Sequence, residues 1–341
     1  MNVAMWAKAL QVIPHIDKEE WNRLDIISKF LIASRSAVLI ITFISAGLAG
    51  LFAFRAGMFD WGRWLLLTLG LLFAHATNNL LNDATDFVKG VDTDNYYRAQ
   101  YGPQTLTHGF LTMRQLLTYA AASGLLALGF GAYLIYSDLL QGHYTALILL
   151  GLGVFFVLFY TWPLKYIGLG EVAVIIVWGP LMIGGGYYVI TGQWDWNVVW
   201  AGMAYALGAT SVIFGKHIDK YEGDKAKKIH TLPVIIGEKA ARYANLVMML
   251  AQYGVVAYLV LTRFFSPLVL IVLFALREFW RAYQVYRYPK PAERPDYFPA
   301  QGWPLFFVGF SFYHSRRFGM LFMGGLILDL VWRAVAPLVI K

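Results

Sequence analysis

The sequence predicts an all-α integral membrane protein built as a bundle of nine transmembrane helices. Of its 341 residues, 59% are hydrophobic and 14% are charged, whereas ordinary soluble domains have about 45–50% apolar and about 25% charged residues. Apolar runs of about 20 residues, the length that crosses a bilayer, recur along the chain. Lys and Arg also concentrate in alternate loops, as they do in membrane proteins. These features exclude a disordered chain, a coiled coil and an ordinary cytosolic enzyme.

The N-terminal segment, residues 1–35, lacks an uninterrupted apolar core, so we do not expect a signal peptide. It carries five cations and four apolar residues at helical spacing. They are Lys8, Lys18, Arg23, Lys29 and Arg35, and Trp21, Leu24, Ile27 and Leu31. We expect an amphipathic helix at the membrane surface, followed by a transmembrane domain over residues 36–341. A cytosolic extension is the alternative.

Nine segments are apolar and long enough to cross the membrane. They are residues 36–55, 62–82, 114–136, 144–161, 170–190, 197–215, 243–262, 266–284 and 318–339. The eighth carries Arg277, Glu278 and Arg281 near its end. Residues 302–313 are apolar but too short to cross, so we expect an interfacial or re-entrant segment there.

The loop charges predict the orientation of the bundle. With the N-terminus inside, 23 Lys and Arg fall in inside segments and five fall outside. We therefore expect a multi-pass plasma-membrane protein whose long charged loops, and the acidic motifs they contain, face the cytoplasm. The net charge of +8 has the same explanation, so no nucleic-acid partner is expected. The absence of cysteine excludes disulfides and thiolate metal sites.

A first acidic motif lies at the inner end of the second apolar segment. Four polar residues share one helical face there, Asn79, Asn82, Asp83 and Asp86. Asp92 and Asp94 follow, and Lys89 is the only cation between Asp83 and Asp94. Polar groups at this depth usually face a cavity or a partner. Carboxylate and amide oxygens so close together favour a hard cation such as Mg²⁺; a solvated helix end is the alternative.

A second acidic motif is predicted on the same membrane side. Its carboxylates, Asp219, Glu222 and Asp224, alternate with lysines, a pattern that also fits a solvated, salt-bridged loop. Two acidic patches on one face favour paired Mg²⁺ sites that hold a diphosphate, with lysines on the phosphate oxygens. A third motif, residues 160–171, contains Lys165 and also Glu171, whose carboxylate would be stabilised at a helix start.

The stretch from Asn79 to Asp92, Asn-Leu-Leu-Asn-Asp-Ala-Thr-Asp-Phe-Val-Lys-Gly-Val-Asp, resembles the first acidic motif of the UbiA superfamily of intramembrane prenyltransferases. It is most similar to the MenA-type branch, which prenylates 1,4-dihydroxy-2-naphthoate for menaquinone biosynthesis. Further matches are Gly102-Pro103, His108-Gly109, residues 160–171, Glu222-Gly223-Asp224, Thr231-Leu232 and Gly237-Glu238. Two spacings differ from that branch. Asp219 and Asp224 are five residues apart instead of four, and Lys228 stands three residues before Thr231 instead of two.

The resemblance implies a UbiA-like bundle around a lateral, membrane-open cavity that the acidic motifs cap. It implies an enzyme that uses two Mg²⁺ ions to transfer a polyprenyl group from polyprenyl diphosphate to an aromatic acceptor. The acceptor that the MenA-type resemblance implies is 1,4-dihydroxy-2-naphthoate, which loses its carboxylate as it is prenylated. The implied catalytic acids are Asp86, Asp92, Asp219 and Asp224. The implied metal ligands are Asn82, Asp83, Asp86, Asp92, Asp219, Glu222 and Asp224. The implied diphosphate contacts are Asn79, Lys89, Arg98, Lys165 and Lys228.

Several other functions fit parts of this pattern. The acceptor could be 4-hydroxybenzoate, homogentisate, a tetrapyrrole or a phosphosugar, and a terpene cyclase of the superfamily would need no acceptor. A cation-coupled transporter or a membrane scaffold belongs to a different class. Transporters usually place charges near the bilayer midplane on broken helices, whereas the acids here cluster at one face. A scaffold would not need two acidic motifs at cation-binding spacing.

Overall fold

The structure, a computed structural model, describes residues 2–91, 103–140 and 142–339. These residues are helical, apart from turns and one isolated bridge between Ile167 and His230. The chain divides into two compact units. Unit 1 takes its residues from Met1–Leu164 and Gly185–Gln193, and unit 2 from Lys165–Gly184 and Trp194–Lys341.

Unit 1 begins with short helices and continues with long apolar ones. Its helices are α1 (Val3–Gln11), α2 (Lys18–Arg23), α3 (Ile26–Ala33), α4 (Ile40–Arg55, after a 3₁₀ turn at Ser36–Leu39), α5 (Trp61–Val88), α6 (Met113–Leu140) and α7 (Thr145–Phe159). Helix α8 covers Gly170–Thr191 and is divided between the units, with Gly170–Gly184 in unit 2 and Gly185–Thr191 in unit 1. It widens into a π-helix at Val177–Gly184, which contains Pro180. The ring of Pro180 removes one helical hydrogen-bond donor, which accounts for a local departure from α geometry.

Unit 2 contains the remaining helices. They are α9 (Trp196–Asp219), α10 (Tyr221–Ala226), α11 (Leu232–Ile236), α12 (Glu238–Leu261), α13 (Leu276–Tyr286, after a 3₁₀ run at Pro267–Ala275) and α14 (Phe306–Val339). Helices α9, α12 and α14 pack together through a buried polar seam. The amide nitrogen of Asn245 on α12 donates to the carbonyl of Ser211 on α9 at 3.1 Å and to the hydroxyl of Ser311 on α14 at 3.1 Å. Such pairing satisfies polar groups that lipid cannot.

Seven helices in the described part of the chain are long and apolar enough to cross a membrane. They are Ser36–Arg55, Trp61–Val88, Met113–Leu140, Gly170–Thr191, Trp196–Asp219, Glu238–Leu261 and Phe306–Val335. The predicted fourth segment is α7, with only 15 residues, and the predicted eighth is the 3₁₀ run followed by α13. The all-helical, multi-pass character is therefore confirmed, while the count of nine is not.

The expectation of a separate short segment at residues 302–313 is wrong. Phe306 opens α14, which continues for 34 residues. The helix does not break at its polar residues because they have partners inside unit 2. His314 shares a hydrogen bond of 2.9 Å with the Tyr253 hydroxyl, and Ser315 donates to the carbonyl of Gly208 at 2.8 Å.

The N-terminal segment forms three short helices instead of one. The carboxylate of Asp17 accepts the N–H of Glu20 and so begins α2, and that of Asp25 accepts the N–H groups of Ile27 and Ser28 at the start of α3. Aspartate is a strong N-cap, so each one starts a new helix. The location of this segment at the membrane surface stays a prediction.

Apolar packing attaches the N-terminal segment to the C-terminal half of α5. Trp21 is buried, and its ring stacks on Phe110 with centroids 5.3 Å apart. Both belong to one apolar cluster with Leu80 and Ala84 of α5. The residues just before α4 are thereby placed against the helix that carries the first acidic motif.

Candidate active site

The polar face of α5 is held by the turn that precedes α4. The side chain of Asn79 donates to the carbonyl of Ser34 at 2.9 Å. Arg35 Nη2 lies 3.0 Å from Asp83 Oδ1 and donates to the carbonyl of Asn79 at 3.1 Å. Asn79 and Asp83 are buried. Both predicted site residues therefore have defined protein partners, and the partner of Asp83 is a cation.

Sequence reasoning counted Arg35 only as a loop cation. The structure makes it the centre of the motif, since its Nη2 also lies 3.4 Å from Asn82 Oδ1. Arg35 adopts a left-handed backbone conformation with φ of 55°. That conformation is unfavourable for a residue with a side chain, so the contacts to α5 offset a local cost. The signal available beforehand was a lone arginine at the start of an apolar segment.

A second set of contacts ties α5 to the chain after α7. Asn82 Nδ2 donates to the hydroxyl of Thr161 at 3.1 Å. The ammonium of Lys89 lies 3.5 Å above the ring of Trp162, a cation–π contact. Asp86 lies between Asn82 and Lys89 in the sequence and is buried. The first and third predicted motifs thus meet within unit 1.

The oxygen donors of the first motif suit a hard divalent cation. Asn82 and Asp86 supply amide and carboxylate oxygens of the type that Mg²⁺ prefers. Asp92, Asp94 and Arg98 lie outside the described residues. In the part of the chain that the structure describes, no three His, Asp or Glu side chains converge as a metal site would require. The complete ligand set of the first motif therefore stays a prediction.

In the second motif, Asp219 is the last residue of α9 and faces the start of α14. One carboxylate oxygen accepts the N–H of Phe307 at 3.0 Å, and the other accepts the N–H of Val308 at 3.0 Å. A carboxylate at a helix N-terminus is stabilised by the unpaired N–H groups and the helix dipole. Both oxygens of this predicted metal ligand are therefore used in holding α14.

Lys290, which sequence reasoning missed, completes the surroundings of Asp219. Its ammonium nitrogen lies 3.5 Å from Asp219 Oδ1 and also donates to the carbonyl of Pro304. Burial lowers the pKa of Lys290, while the neighbouring Asp219 carboxylate acts in the opposite direction. No sequence pattern links the two residues, because 71 positions separate Asp219 from Lys290.

Asp224 has a different partner from Asp219. It is buried, and its Oδ1 lies 3.2 Å from the ammonium of Lys220, four residues earlier. Glu222, the other predicted ligand, is exposed, as is Lys228. Lys228 has a left-handed φ of 56°. The structure therefore does not assemble the three carboxylates of this motif around one point.

A buried Glu171–His217 pair lies next to the second motif and was not anticipated. Glu171 Oε1 is 2.6 Å from His217 Nδ1, and Glu171 Oε2 accepts the N–H of Leu232 at 3.4 Å. Glu171 stands in the first turn of α8, as predicted, but it also connects α8 with α9 and α11. The predicted phosphate ligand Lys165 is partly exposed, with its ammonium 5.6 Å from the Tyr166 ring centroid.

Comparison with known proteins identifies the family. The profile of the UbiA prenyltransferase family matches residues 42–310, so the chain belongs to the UbiA prenyltransferase family. The family assignment made from the acidic motifs is thereby confirmed.

Three relatives illustrate the range of similar proteins. The UbiA prenyltransferase domain-containing protein 1 homolog of Drosophila melanogaster is 25% identical over 66% of this chain and 62% of that protein. The 2-carboxy-1,4-naphthoquinone phytyltransferase of Synechocystis is 26% identical over 58% of this chain and 63% of its own. The 1,4-dihydroxy-2-naphthoate octaprenyltransferase of Escherichia coli is 28% identical over 52% and 58%. The chain thus spans less than two thirds of the length of each.

Solved structures share the fold. A UbiA homolog from Aeropyrum pernix K1 in its apo form has a TM-score of 0.60 and 17% identity, over 85% of this chain and 98% of that one. A UbiA homolog from Archaeoglobus fulgidus bound to DMAPP and Mg²⁺ has a TM-score of 0.54 and 15% identity, over 86% and 99%. The predicted UbiA-like helical fold is confirmed; the lateral cavity stays a prediction.

Proposed function

We propose that this protein is a Mg²⁺-dependent prenyltransferase that moves a polyprenyl group from a polyprenyl diphosphate to an aromatic acceptor. The observation that carries the proposal is the buried Asn/Asp face at the C-terminal end of α5, in a chain of the UbiA family. Buried Asp86 at the end of an apolar span is costly in a membrane protein without a function. Family membership gives that function its chemical class.

The first motif provides the metal ligands in this proposal. Asn82, Asp86 and Asp92 would hold Mg²⁺, which supplies positive charge to the diphosphate as it leaves. Binding of DMAPP and Mg²⁺ by the archaeal neighbour supports both the ion and the donor class. We propose that Lys89, Arg98, Lys165 and Lys228 bind phosphate oxygens. Asn79 and Asp83, tied to Ser34 and Arg35, would keep the metal-binding face of α5 in position.

We propose 1,4-dihydroxy-2-naphthoate as the acceptor, prenylated with loss of its carboxylate. The support is the first-motif sequence together with the naphthoate-type names of the Synechocystis and Escherichia coli relatives. We further propose that the protein resides in the plasma membrane with its acidic motifs on the cytoplasmic side. The distribution of Lys and Arg among the loops supports this orientation.

The test is a prenyl-transfer assay on the purified protein, with labelled geranylgeranyl diphosphate, 1,4-dihydroxy-2-naphthoate and either Mg²⁺ or EDTA. We expect a prenylated, decarboxylated naphthoquinol with Mg²⁺ and none with EDTA. Asp86→Asn should lower kcat by roughly 10²-fold or more, the scale of losing one group that stabilises transition-state charge. Asp60→Asn is the matched control, because Asp60 caps the opposite end of α5 and asparagine caps equally well.

Three results would change the assignment. Full activity of Asp86→Asn contradicts the role of the first motif, provided that the variant melts like the wild-type protein. Release of diphosphate without a prenylated naphthoquinol points to another acceptor or to a cyclase. If no prenyl diphosphate is consumed, the protein is not a prenyltransferase and the transporter alternative gains weight.

A further inference from the structure

The carboxylates of the second acidic motif differ from those of an open metal site because the buried ones already have cationic partners. Asp219 has Lys290 at 3.5 Å and Asp224 has Lys220 at 3.2 Å. Two further acids at this end of unit 2 are also paired, Glu171 with His217 at 2.6 Å and Glu238 with Arg242 at 3.1 Å. The positive charge that a divalent cation would bring is therefore already supplied by side chains.

Asp219 is the least suited of these acids to hold a metal. Its two oxygens accept the N–H groups of Phe307 and Val308, both at 3.0 Å. Mg²⁺ demands near-octahedral geometry and short bonds to its ligand oxygens. Turning the Asp219 carboxylate toward such an ion would leave two buried N–H groups at the start of α14 without an acceptor, and such groups are costly to leave unpaired.

Asp224 is blocked for a different reason. The Lys220 ammonium lies against its Oδ1, and the Asp224 side chain is only 3% exposed while that of Lys220 is 17% exposed. A divalent cation on Asp224 would have to share this poorly solvated position with the ammonium. Like charges at such short distance repel strongly in a low-dielectric environment. Glu222 remains, but it is exposed, and one carboxylate alone is a weak Mg²⁺ site.

The charge of the chain around the two motifs points the same way. Residues 79–94 contain four acids and one lysine, which gives a net charge of −3. Residues 216–224, which contain the second motif, have a net charge of −1, and the whole stretch of residues 216–242 has a net charge of +3 because of the lysines and the arginine that follow the motif. A sequence with excess negative charge needs a metal cation to bind a diphosphate, whereas one with excess positive charge attracts the diphosphate directly.

We propose that the second acidic motif binds no divalent cation: Lys220 and Lys290 neutralise its buried carboxylates, and the first motif alone contributes the protein ligands for Mg²⁺. This inference rests on the proposed function and departs from the expectation of two Mg²⁺ ions held by two acidic motifs. Asp219 acts as a positioning residue that fixes the start of α14.

The proposal is tested by counting bound metal with Mn²⁺, which replaces Mg²⁺ and is visible by electron paramagnetic resonance. The purified full chain is titrated with Mn²⁺ in the presence of geranylgeranyl thiodiphosphate, a donor analogue that resists ionisation. We expect Asp86→Asn to lose the protein-bound Mn²⁺ almost completely, because it removes a carboxylate ligand. Asp224→Asn should leave both the number of bound ions and their affinity within about twofold of wild type, because a carboxylate that is not a ligand has little effect on a hard cation.

The outcomes separate this inference from the proposed function. If Asp224→Asn or Glu222→Gln removes one bound Mn²⁺ per chain, the inference is overturned while the prenyltransferase assignment stands. A count that depends on Asp86 alone supports the inference. If wild-type protein binds neither the analogue nor Mn²⁺, the proposed function fails and the inference fails with it. Melting temperatures of all variants test whether each change in bound Mn²⁺ is measured on folded protein.

Discussion

At the scale of single residues, Arg35 explains how a charged face is tolerated on an otherwise apolar helix. Its guanidinium contacts Asp83 at 3.0 Å and the carbonyl of Asn79 at 3.1 Å. Asp83 is buried, and a buried carboxylate is costly unless it is paired. Asp83 therefore serves first to hold Arg35, and through it the turn before α4, against α5.

Replacing Arg35 should destabilise the protein without removing any proposed metal ligand. Arg35→Ala leaves the Asp83 carboxylate without its cation, at an expected cost of about 1.5–3 kcal/mol, the scale of a hydrogen bond to a charged group. The measurement is thermal unfolding in detergent. The double variant Arg35→Ala with Asp83→Ala should recover part of the loss, because the uncompensated charge is gone. Equal losses in the single and double variants would contradict the pairing.

Sequence spacing predicted which polar residues share one face of α5, but it did not predict their contacts. Spacing identified four residues that lie on one face of α5, namely Asn79, Asn82, Asp83 and Asp86. Their partners could not be predicted, since hydrogen bonds join positions far apart in sequence. Asn82 contacts Thr161, and Asp219 contacts Val308. The five-residue spacing of Asp219 and Asp224 was visible, but only the structure shows that α9 ends at Asp219.

At the scale of elements, α9 depends on a glycine for its position. A Cβ added at Gly215 would lie 2.7 Å from the Tyr286 hydroxyl and 2.8 Å from that of Ser311. Small residues let transmembrane helices approach closely enough for polar groups to meet. The Tyr286 hydroxyl also donates to the carbonyl of Phe307 at 2.9 Å. The same contact region thus sets the start of α14, where Asp219 is anchored.

Gly215→Ala should therefore displace α13 or α14 relative to α9 and lower stability by about 1–3 kcal/mol, the usual cost of overpacking. Gly254→Ala on α12 is the matched control, because a Cβ there meets nothing within 4 Å. Alanine at that exposed position should be neutral or stabilising by up to about 1 kcal/mol, since it favours helix. The measurement is the melting temperature in detergent. A Gly215→Ala protein as stable as wild type would contradict the close approach of these helices.

The helices were predictable because a membrane span satisfies its own backbone hydrogen bonds, so hydropathy and length suffice to locate it. Helix ends were less predictable because local and tertiary groups set them. Asp17 and Asp25 divide the N-terminal segment into short helices. Asp219 stabilises the start of α14 at Phe306, twelve residues before the predicted start of the last span at residue 318. Short-range periodicity carries no information about such a distant carboxylate.

At the scale of the whole molecule, the distribution of Lys and Arg predicts a fixed orientation in the membrane. The chain contains no cysteine, so one introduced cysteine reports its own position without background. Gln193 precedes α9 and Lys225 lies in α10, and both side chains are exposed. The positive-inside rule places the basic loop around Lys225 in the cytoplasm. Alternation of the spans then places Gln193 outside.

Labelling with a membrane-impermeant maleimide distinguishes the two sides. We expect Gln193→Cys to react in intact cells, and Lys225→Cys to react only after the cells are permeabilised. The parent chain should not react in either case, because it has no thiol. Reaction of Lys225→Cys but not of Gln193→Cys in intact cells would reverse the orientation and place the second acidic motif on the outside, away from cytoplasmic prenyl diphosphates. Equal reaction of both variants in intact cells would instead mean that α9 does not cross the membrane, since α9 alone separates the two positions.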